Sequence, residues 1–212
     1  KKPEERNDGS MVKVALGATK TTEIFTFLPS HFNQGLNIFL NKANQDSISY
    51  IKAAAYSGAF ILQKSFCSKE DIDPDELEIL DMKKHFLEDR NSVYQITISD
   101  KLPNGSGFVR KLKEEIVENN FLEKIFSEPK KNPFLTYLIS QYHMDECKTS
   151  CSKCLSVFTN MPYHGLLDWR LGLSYLRIHL DKNYQAGLEN NYSDFIELSN
   201  LSNDFKNLRN IL

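Results

Sequence analysis

The sequence predicts an α+β fold in which a small, mostly antiparallel sheet packs against helices, with a cysteine-rich loop between the last helices. Two observations predict it. Short runs rich in β-branched and aromatic residues occur among longer runs with helical spacing. Their order is two strands, a helix, two strands, two helices, the cysteine-rich loop and a final helix, which is an order typical of the α+β class.

The N-terminal half supplies the predicted strands and the first helix. Residues 11–28 alternate apolar and polar side chains around a turn at Gly17, which predicts a β-hairpin or two short strands. The alanine-rich run at 47–67 predicts a largely buried helix with Asp46 or Ser47 as its N-cap. The runs ELEILDM and VYQITIS predict two further strands.

The C-terminal half is predicted to be mainly helical. The turn at 100–107 leads into a predicted helix at about 106–127, and a second predicted helix covers 134–146. After the cysteine-rich loop, the amphipathic run at 165–180 predicts another helix. Residues 183–212, rich in asparagine and serine, are interpreted as a C-terminal extension that is predicted to be helical.

Composition and charge restrict the class of protein. The chain has 212 residues, is 41% hydrophobic and 25% charged, and carries a net charge of −2, so it can form a core but has no global basic field. No apolar run approaches the roughly 20 residues of a membrane span. Residues 1–10 are interpreted as a linker without a signal peptide, and the absence of an initial methionine suggests a segment of a longer polypeptide. We therefore expect a cytoplasmic protein with reduced thiols, in which clustered cysteines favour a metal over disulfides.

The most informative motif is H-x3-C-x3-C-x2-C, formed by His143, Cys147, Cys151 and Cys154. Thiolate sulfur and imidazole nitrogen are the ligands that tetrahedral Zn²⁺ prefers, and the C-x2-C turn can direct two sulfurs to one point. Three thiolates predict a structural rather than a catalytic zinc, and the alternative is a set of buried free thiols. His143 is the first choice for the fourth ligand, and the alternatives are His164, Asp145 and Cys67.

The turn D-x-x-P-N-G-S-G, which begins at Asp100, has two interpretations. Its glycines permit positive φ, and free amides at a helix start can hold an anion such as phosphate. The favoured interpretation is a strand-to-helix turn that needs glycine for geometry alone, since the motif is neither a P-loop nor a dinucleotide-binding fingerprint.

Polar residues after the cysteine-rich loop predict a structural network. His164 and Asp168 are four residues apart and could pair on one helix face, an arrangement that can suggest hydrolysis. No nucleophile or paired metal-binding carboxylates accompany them. We therefore predict a polar network of Asn160, His164, Asp168 and Arg170 that locks the loop onto the helix, with Trp169 in the core.

Basic residues gather in two places that would be the first candidates for phosphate contacts if nucleic acid binds. The alternative is that they are solvated helix faces and turns. The candidates are Arg110, Lys111, Lys113, Lys130 and Lys131.

Three segments together resemble one family. ISDKLPNGSGFVRKL resembles its D-x-x-P-G-G-x-G-[YF] turn and helix, CKTSCSKCLSVFTN its C-x-x-x-C-x-x-C-L loop, and YHGLLDWRLGLSYL its H-x-x-L-D-x-R-L-A-L helix. The family is the zinc-binding C-terminal domain of MrfA-type superfamily 2 DNA helicases, which also occurs in DrmB, a component of the DISARM anti-phage system. The resemblance covers residues 11–182. The DrmB-like form is favoured because His143 precedes the first cysteine and Asp145 stands where the helicase form has a further cysteine, whereas Asn104 departs from the family's usual glycine.

The resemblance implies a bacterial DNA-processing role beside a helicase-type subunit or an upstream helicase domain, with DNA as a further partner, and no membrane or small-molecule substrate. The chain has no Walker A, DEAH-type or recognisable nuclease motif, so we expect no enzymatic activity of its own. The expected function is a zinc-stabilised accessory module in anti-phage defence. Two alternatives stay open: a phosphodiester hydrolase that uses His164 and Asp168, and a protein-interaction scaffold without DNA contact.

Overall fold

The protein has the predicted α+β fold, with a four-stranded antiparallel sheet packed against helices. The computed structural model describes residues 19–29, 36, 38–184 and 195–198. The strands are β1 (Ile24–Phe27), β2 (Leu77–Ile79), β3 (Lys83–Phe86) and β4 (Ser92–Asp100). The α-helices are α1 (Gln45–Glu70), α2 (Phe108–Val117), α3 (Phe121–Ser127), α4 (Pro133–Leu138), α5 (Gln141–Glu146) and α6 (Trp169–Ile178), and 3-10 helices form at Pro74–Glu76, Pro129–Lys131 and Phe158–Leu166.

Strand β4 is the centre of the sheet, and the other three strands all pair with it in the antiparallel direction. β1 and β2 flank it, since Ile24 and Glu78 both lie opposite Ser99. Within the described part of the chain, β2 is therefore an edge strand. The predictions of β2 and β4 are confirmed, and β1 confirms the second strand of the predicted hairpin. Its first strand, like the predicted linker at 1–10, lies outside the described residues.

Strand β3 was not predicted, because its sequence KKHF lacks the apolar alternation that identifies a strand from sequence. It pairs with the first half of β4, where Lys84 lies opposite Tyr94. Tertiary pairing thus overrides a weak local preference.

Helix α1 forms the centre of the core and confirms the predicted helix. Ala55, Ala59 and Ile61 are completely buried, as expected for a helix that is covered on several sides. Its N-cap is Asn44, whose side chain accepts a hydrogen bond from the Ser47 N–H at 2.8 Å, so the predicted caps Asp46 and Ser47 are wrong.

Two predicted helices are each split in two. The helix predicted at 106–127 is divided into α2 and α3 at Asn120, which has a left-handed φ of 52°. The helix predicted at 134–146 is divided into α4 and α5 at Ser140, which is extended and accepts a hydrogen bond from the His143 N–H at 3.2 Å. The apolar spacing continues through both breaks, which is why periodicity alone did not reveal them.

The helix predicted at 165–180 begins only at Trp169. Asp168 is extended, and its side chain accepts hydrogen bonds from the N–H groups of Arg170 and Leu171. It is therefore the N-cap of α6 and not a residue on its surface. The preceding residues belong to the 3-10 helix Phe158–Leu166.

Only part of the predicted C-terminal extension is described, namely residues 183–184 and 195–198. Arg177 of α6 donates hydrogen bonds of 2.6 and 3.0 Å to the carboxylate of Glu197, which is completely buried. Residues 195–198 form a turn held on α6 by this pair. The prediction of helix for the rest of 183–212 falls outside the described residues.

Among the described residues, no helix combines the length and the apolar character that crossing a membrane requires.

Helices α1 and α6 approach each other closely at Gly172. A Cβ atom placed on Gly172 would lie 2.7 Å from the backbone carbon of Ser57 and 2.7 Å from Cδ1 of Ile61. The absence of a side chain therefore lets the two backbones approach each other, as needed to bring the C-terminal helix onto the core.

We predict that Gly172→Ala lowers the free energy of unfolding by about 2 kcal/mol, because the added methyl group overpacks the contact with a rigid helix backbone. The loss should appear even though alanine is the better helix former by about 1 kcal/mol. Chemical denaturation would measure it.

Gly165→Ala is the matched control, since a Cβ atom there would meet nothing within 4 Å. Equal stability of the two variants would contradict the close approach between α1 and α6.

Candidate metal centre

The side chains of His143, Cys147, Cys151 and Cys154 meet at one place. Their candidate ligand atoms all lie within 4.8 Å of one another, so the four residues could hold a metal ion. His143, Cys147 and Cys154 are buried, and Cys151 is half-buried. No other group of three or more histidine, cysteine or acidic side chains with this potential occurs among the described residues.

Helix α5 positions the first two members of the cluster. The N–H of Cys147 donates to the carbonyl of His143 at 2.8 Å, which closes the last turn of the helix and places the two residues one turn apart. The sequence alternatives to His143 lie elsewhere: Asp145 accepts a hydrogen bond from Gln141 at 2.8 Å, and Cys67 is buried in α1. His143 is thus the histidine that the fold brings to the three thiols.

The ring of His143 is oriented for ligation. Its Nδ1 lies 2.7 Å from the carbonyl oxygen of Leu138, and since a carbonyl only accepts, Nδ1 must carry the proton. Nε2 is then an unprotonated acceptor, and it is buried without a hydrogen-bond partner. Burial also lowers the pKa of His143, which favours the neutral imidazole that binds metals. A metal ion would supply the partner that this lone pair lacks.

A tight turn presents the other two sulfurs. The N–H of Cys154 donates to the carbonyl of Cys151 at 3.1 Å, and the N–H of Cys151 points back to Cys154 Sγ at 3.0 Å. Such an amide stabilises charge on a thiolate. The C-x2-C turn therefore directs a backbone amide, as well as the two sulfurs, toward one point.

The distance between sulfurs separates a metal site from a disulfide. Cys147 Sγ and Cys154 Sγ are 3.8 Å apart, and all the cysteines are free. A disulfide requires about 2.05 Å, whereas a tetrahedral ion with metal–sulfur bonds of about 2.3 Å separates its sulfurs by about 3.8 Å. Burial raises the pKa values of both thiols, so deprotonating them together requires a compensating cation.

Two cationic side chains border the cluster. Lys64 of α1 donates to the carbonyl of Cys154, and Arg170 donates to the carbonyls of Cys147 at 3.3 Å and Lys148 at 2.7 Å. Burial lowers the pKa of Lys64, while the neighbouring sulfurs of Cys154 and Cys151 act against that shift. A divalent ion with three thiolates and a neutral imidazole carries a net charge of −1, which these cations offset. Sequence reasoning missed Lys64, because nothing local links α1 to the cysteine loop.

Helix α6 is attached to the loop through Trp169. Its Nε1–H donates to the carbonyl of Cys147 at 3.1 Å, and its backbone N–H donates to the carbonyl of Thr149 at 2.9 Å. The indole is completely buried, as predicted, and its ring centroid lies 5.4 Å from that of His143. The segment between Cys147 and Cys151 is therefore bound to α6 through two of its backbone carbonyls.

The residues of the predicted polar network lie in two groups. Asn160 accepts from the N–H of Val157 at 2.9 Å and donates to the carbonyl of Leu155 at 2.8 Å, and His164 Nε2 lies 3.0 Å from Asn160 Oδ1. Asp168 instead caps α6. His164 and Asp168 therefore do not pair on one helix face, since the two side chains belong to different elements and bond different partners.

Most of the candidate DNA-binding residues already have acidic partners. Arg110 pairs with Glu23, Lys111 with Glu70, and Lys131 with Glu128. Within the part of the chain that the structure describes, the remaining two candidates, Lys113 and Lys130, make no ion pair.

The amides of the turn before α2 are occupied by a residue of the chain itself. The buried carboxylate of Asp100 accepts hydrogen bonds from the N–H groups of Ser106 and Gly107 at 2.9 Å and of Val109 at 3.0 Å. Gly107 has a φ of 84°, as the geometric interpretation of the turn requires. An external phosphate would compete with a carboxylate already in place, so this turn is a structural feature of the fold.

Comparison with models of protein families, with curated proteins and with solved structures found no match to this chain. The fold and the site define an α+β protein with a candidate metal centre made of one histidine and three cysteines.

We predict that Lys64→Met weakens the binding of a divalent metal ion by roughly tenfold or more, because it removes a cation that offsets the negative charge of the centre. Competition with a chromophoric chelator would measure the affinity for Zn²⁺.

Lys83→Met is the control, since Lys83 is an exposed lysine on β3 and its replacement changes the net charge equally. Equal affinity of the two variants would show that Lys64 has no electrostatic role at the centre.

Proposed function

We propose that the chain binds one Zn²⁺ through His143, Cys147, Cys151 and Cys154, and that this ion is structural. The observation that carries the proposal is the buried ring of His143, which offers a ligand nitrogen within 4.8 Å of the candidate sulfurs and whose Nε2 has no hydrogen-bond partner. Three sulfurs and a nitrogen are the donors that zinc prefers, and four of them complete a tetrahedron without an open position for water. The ion would stabilise the folded state and would have no catalytic role.

The ion would join elements that are separate along the chain. It would connect the end of α5 to the turn at Cys151–Cys154, and Trp169 and Arg170 would extend that connection to α6 through the carbonyl of Cys147. Structural zinc sites contribute on the order of 10 kcal/mol to folding, which suits a loop with little apolar core.

We further propose that the chain is an accessory module of a helicase-type DNA-processing system in bacterial anti-phage defence, without chemistry of its own. The three segments that resemble the helicase-associated family support this role. The residues that carry the resemblance perform structural tasks here, because Asp100 holds a turn, Asp168 caps a helix and Arg170 holds the loop carbonyls. Such a module would hold DNA or a helicase partner in place.

We expect the purified chain to contain one zinc ion per molecule, and Cys154→Ala to abolish its retention and to lower the melting temperature. Removing one of three sulfurs leaves an incomplete tetrahedron and exposes the remaining ligands to competition by water. Native mass spectrometry would count the bound ion.

Cys67→Ala is the matched control, since Cys67 is a buried free thiol outside the cluster. A wild-type chain without zinc, or zinc retained by Cys154→Ala, would disprove the proposed site.

For DNA contact, we expect that Lys113→Glu combined with Lys130→Glu weakens DNA binding several-fold and reduces its salt dependence, because each lysine would neutralise a phosphate. Fluorescence anisotropy with a duplex and a single-stranded oligonucleotide at several salt concentrations would measure the effect. These positions are chosen because their reversal breaks no ion pair among the described residues.

Lys83→Glu combined with Lys84→Glu provides the control for net charge, since both lysines are exposed on β3 and the double reversal changes the net charge by the same amount. Salt-independent binding, or no binding at all, would leave the protein-interaction scaffold as the function of this chain.

A further inference from the structure

A cavity of about 490 Å³ lies beside the candidate metal centre. Its walls come from α1, from the edge strand β2 and from the 3-10 helix Phe158–Leu166 that follows the cysteine loop. Phe60, Leu77 and Tyr163 contribute apolar surface to these walls. A volume of this size with apolar walls and a few polar groups is typical of a binding site.

Gln63 provides a buried polar group on the cavity wall. Only 6% of the residue is exposed, and its amide nitrogen donates to the carbonyls of Pro74 at 2.8 Å and Leu77 at 2.7 Å. These two acceptors fix the orientation of the amide, since both require the NH₂ group. The Oε1 atom then accepts no hydrogen bond from any described residue and remains available to an N–H donor.

The edge of β2 offers a matching pair of backbone groups. The Leu80 N–H donates to Thr97 of β4, and the Glu76 carbonyl accepts from Lys101, which directly follows β4, both at 2.9 Å. Hydrogen-bonding direction alternates along a strand. Ile79 therefore turns its N–H and C=O away from β4, and no described residue bonds either group. An unpaired donor and acceptor on one residue are what an added antiparallel strand satisfies.

The rim of the cavity carries an exposed aromatic side chain and an unpaired charge. Phe158 is 85% exposed, which is unusual for a phenylalanine and places an apolar face beside the opening. Of the acidic side chains that line the cavity, Glu78 pairs with Lys20 at 2.8 Å and Asp75 accepts a hydrogen bond from Thr159 Oγ1 at 3.1 Å. The Lys101 side chain makes neither an ion pair nor a hydrogen bond among the described residues. The free charge at the rim is thus complementary to an acidic group.

We propose that this cavity binds an extended peptide segment of a partner protein, with a large apolar side chain inside the cavity and an acidic residue near Lys101. The peptide backbone pairs with the N–H and C=O of Ile79, and one of its amides donates to Gln63 Oε1. Phe158 covers the apolar side chain from the rim. The site goes beyond the proposed zinc and DNA functions, and its failure would leave the zinc content of the chain unaffected.

The test begins with selection of a displayed library of random heptapeptides on the zinc-loaded full chain. The expected result is a set of enriched peptides that share a large apolar residue and a nearby acidic one. In hydrogen exchange followed by NMR, the enriched synthetic peptide should slow exchange of the Ile79 N–H, whereas Glu78, already bonded to β4, should change little. Methylation of the peptide nitrogen that faces Ile79 should weaken binding on the order of tenfold, and methylation of the next nitrogen should not.

Two variants complete the test. Phe158→Ala should weaken the enriched peptide on the order of tenfold, since Phe158 forms the rim and its exposure makes the replacement harmless to the fold. Phe86→Ala is the control, because Phe86 is an exposed phenylalanine on β3 and does not line the cavity.

Three results would overturn the proposal: no enriched peptide, an enriched peptide that leaves exchange of the Ile79 N–H unchanged, or equal effects of the two nitrogen methylations. Protection of the same N–H by a single-stranded oligothymidylate in place of the peptide would also overturn it and assign the surface to nucleic acid.

Discussion

Burying an imidazole and three thiols around one point is unfavourable unless a cation satisfies their lone pairs. The hydrogen bond from His143 Nδ1 to the Leu138 carbonyl determines the tautomer and thereby leaves Nε2 as a buried acceptor without a partner. Buried polar groups of this kind are rare in folded proteins because each costs on the order of 1–3 kcal/mol. The stability of the C-terminal third of the structure therefore depends on a partner for the lone pair of His143 Nε2.

The contacts around the cluster hold the backbone of the cysteine loop in place, as a bound metal ion would require. Lys64 reaches the carbonyl of Cys154 from α1, and Trp169 and Arg170 reach the carbonyl of Cys147 from α6. The two helices themselves meet closely at Gly172, so the loop is held by two elements that are already packed together. A metal in this position would connect the loop to the core without any catalytic role.

Local sequence patterns predicted the elements with strong periodicity. α1 and β4 were found because alanine content and β-branched alternation are strong local signals, and the cysteine spacing identified the cluster before any contact was known. The helix N-caps and the interruptions within the predicted helices are not visible in these local patterns. Asn120 and Ser140 interrupt apolar patterns that continue on either side, so the split helices are visible only in the backbone. The role of Asp100 as the acceptor for three amides, and the approach of Lys64 over a long sequence separation, arise from tertiary structure.

The central claim is that a zinc ion occupies the cluster, and X-ray absorption at the zinc edge tests it most directly. Zinc held by these four residues gives a first shell of three sulfurs at about 2.3 Å and one nitrogen at about 2.0–2.1 Å in the purified wild-type chain. A shell made of oxygen and nitrogen alone, or two sulfurs with bound water, would contradict it, because His143 and the three cysteines would then not form a closed tetrahedron.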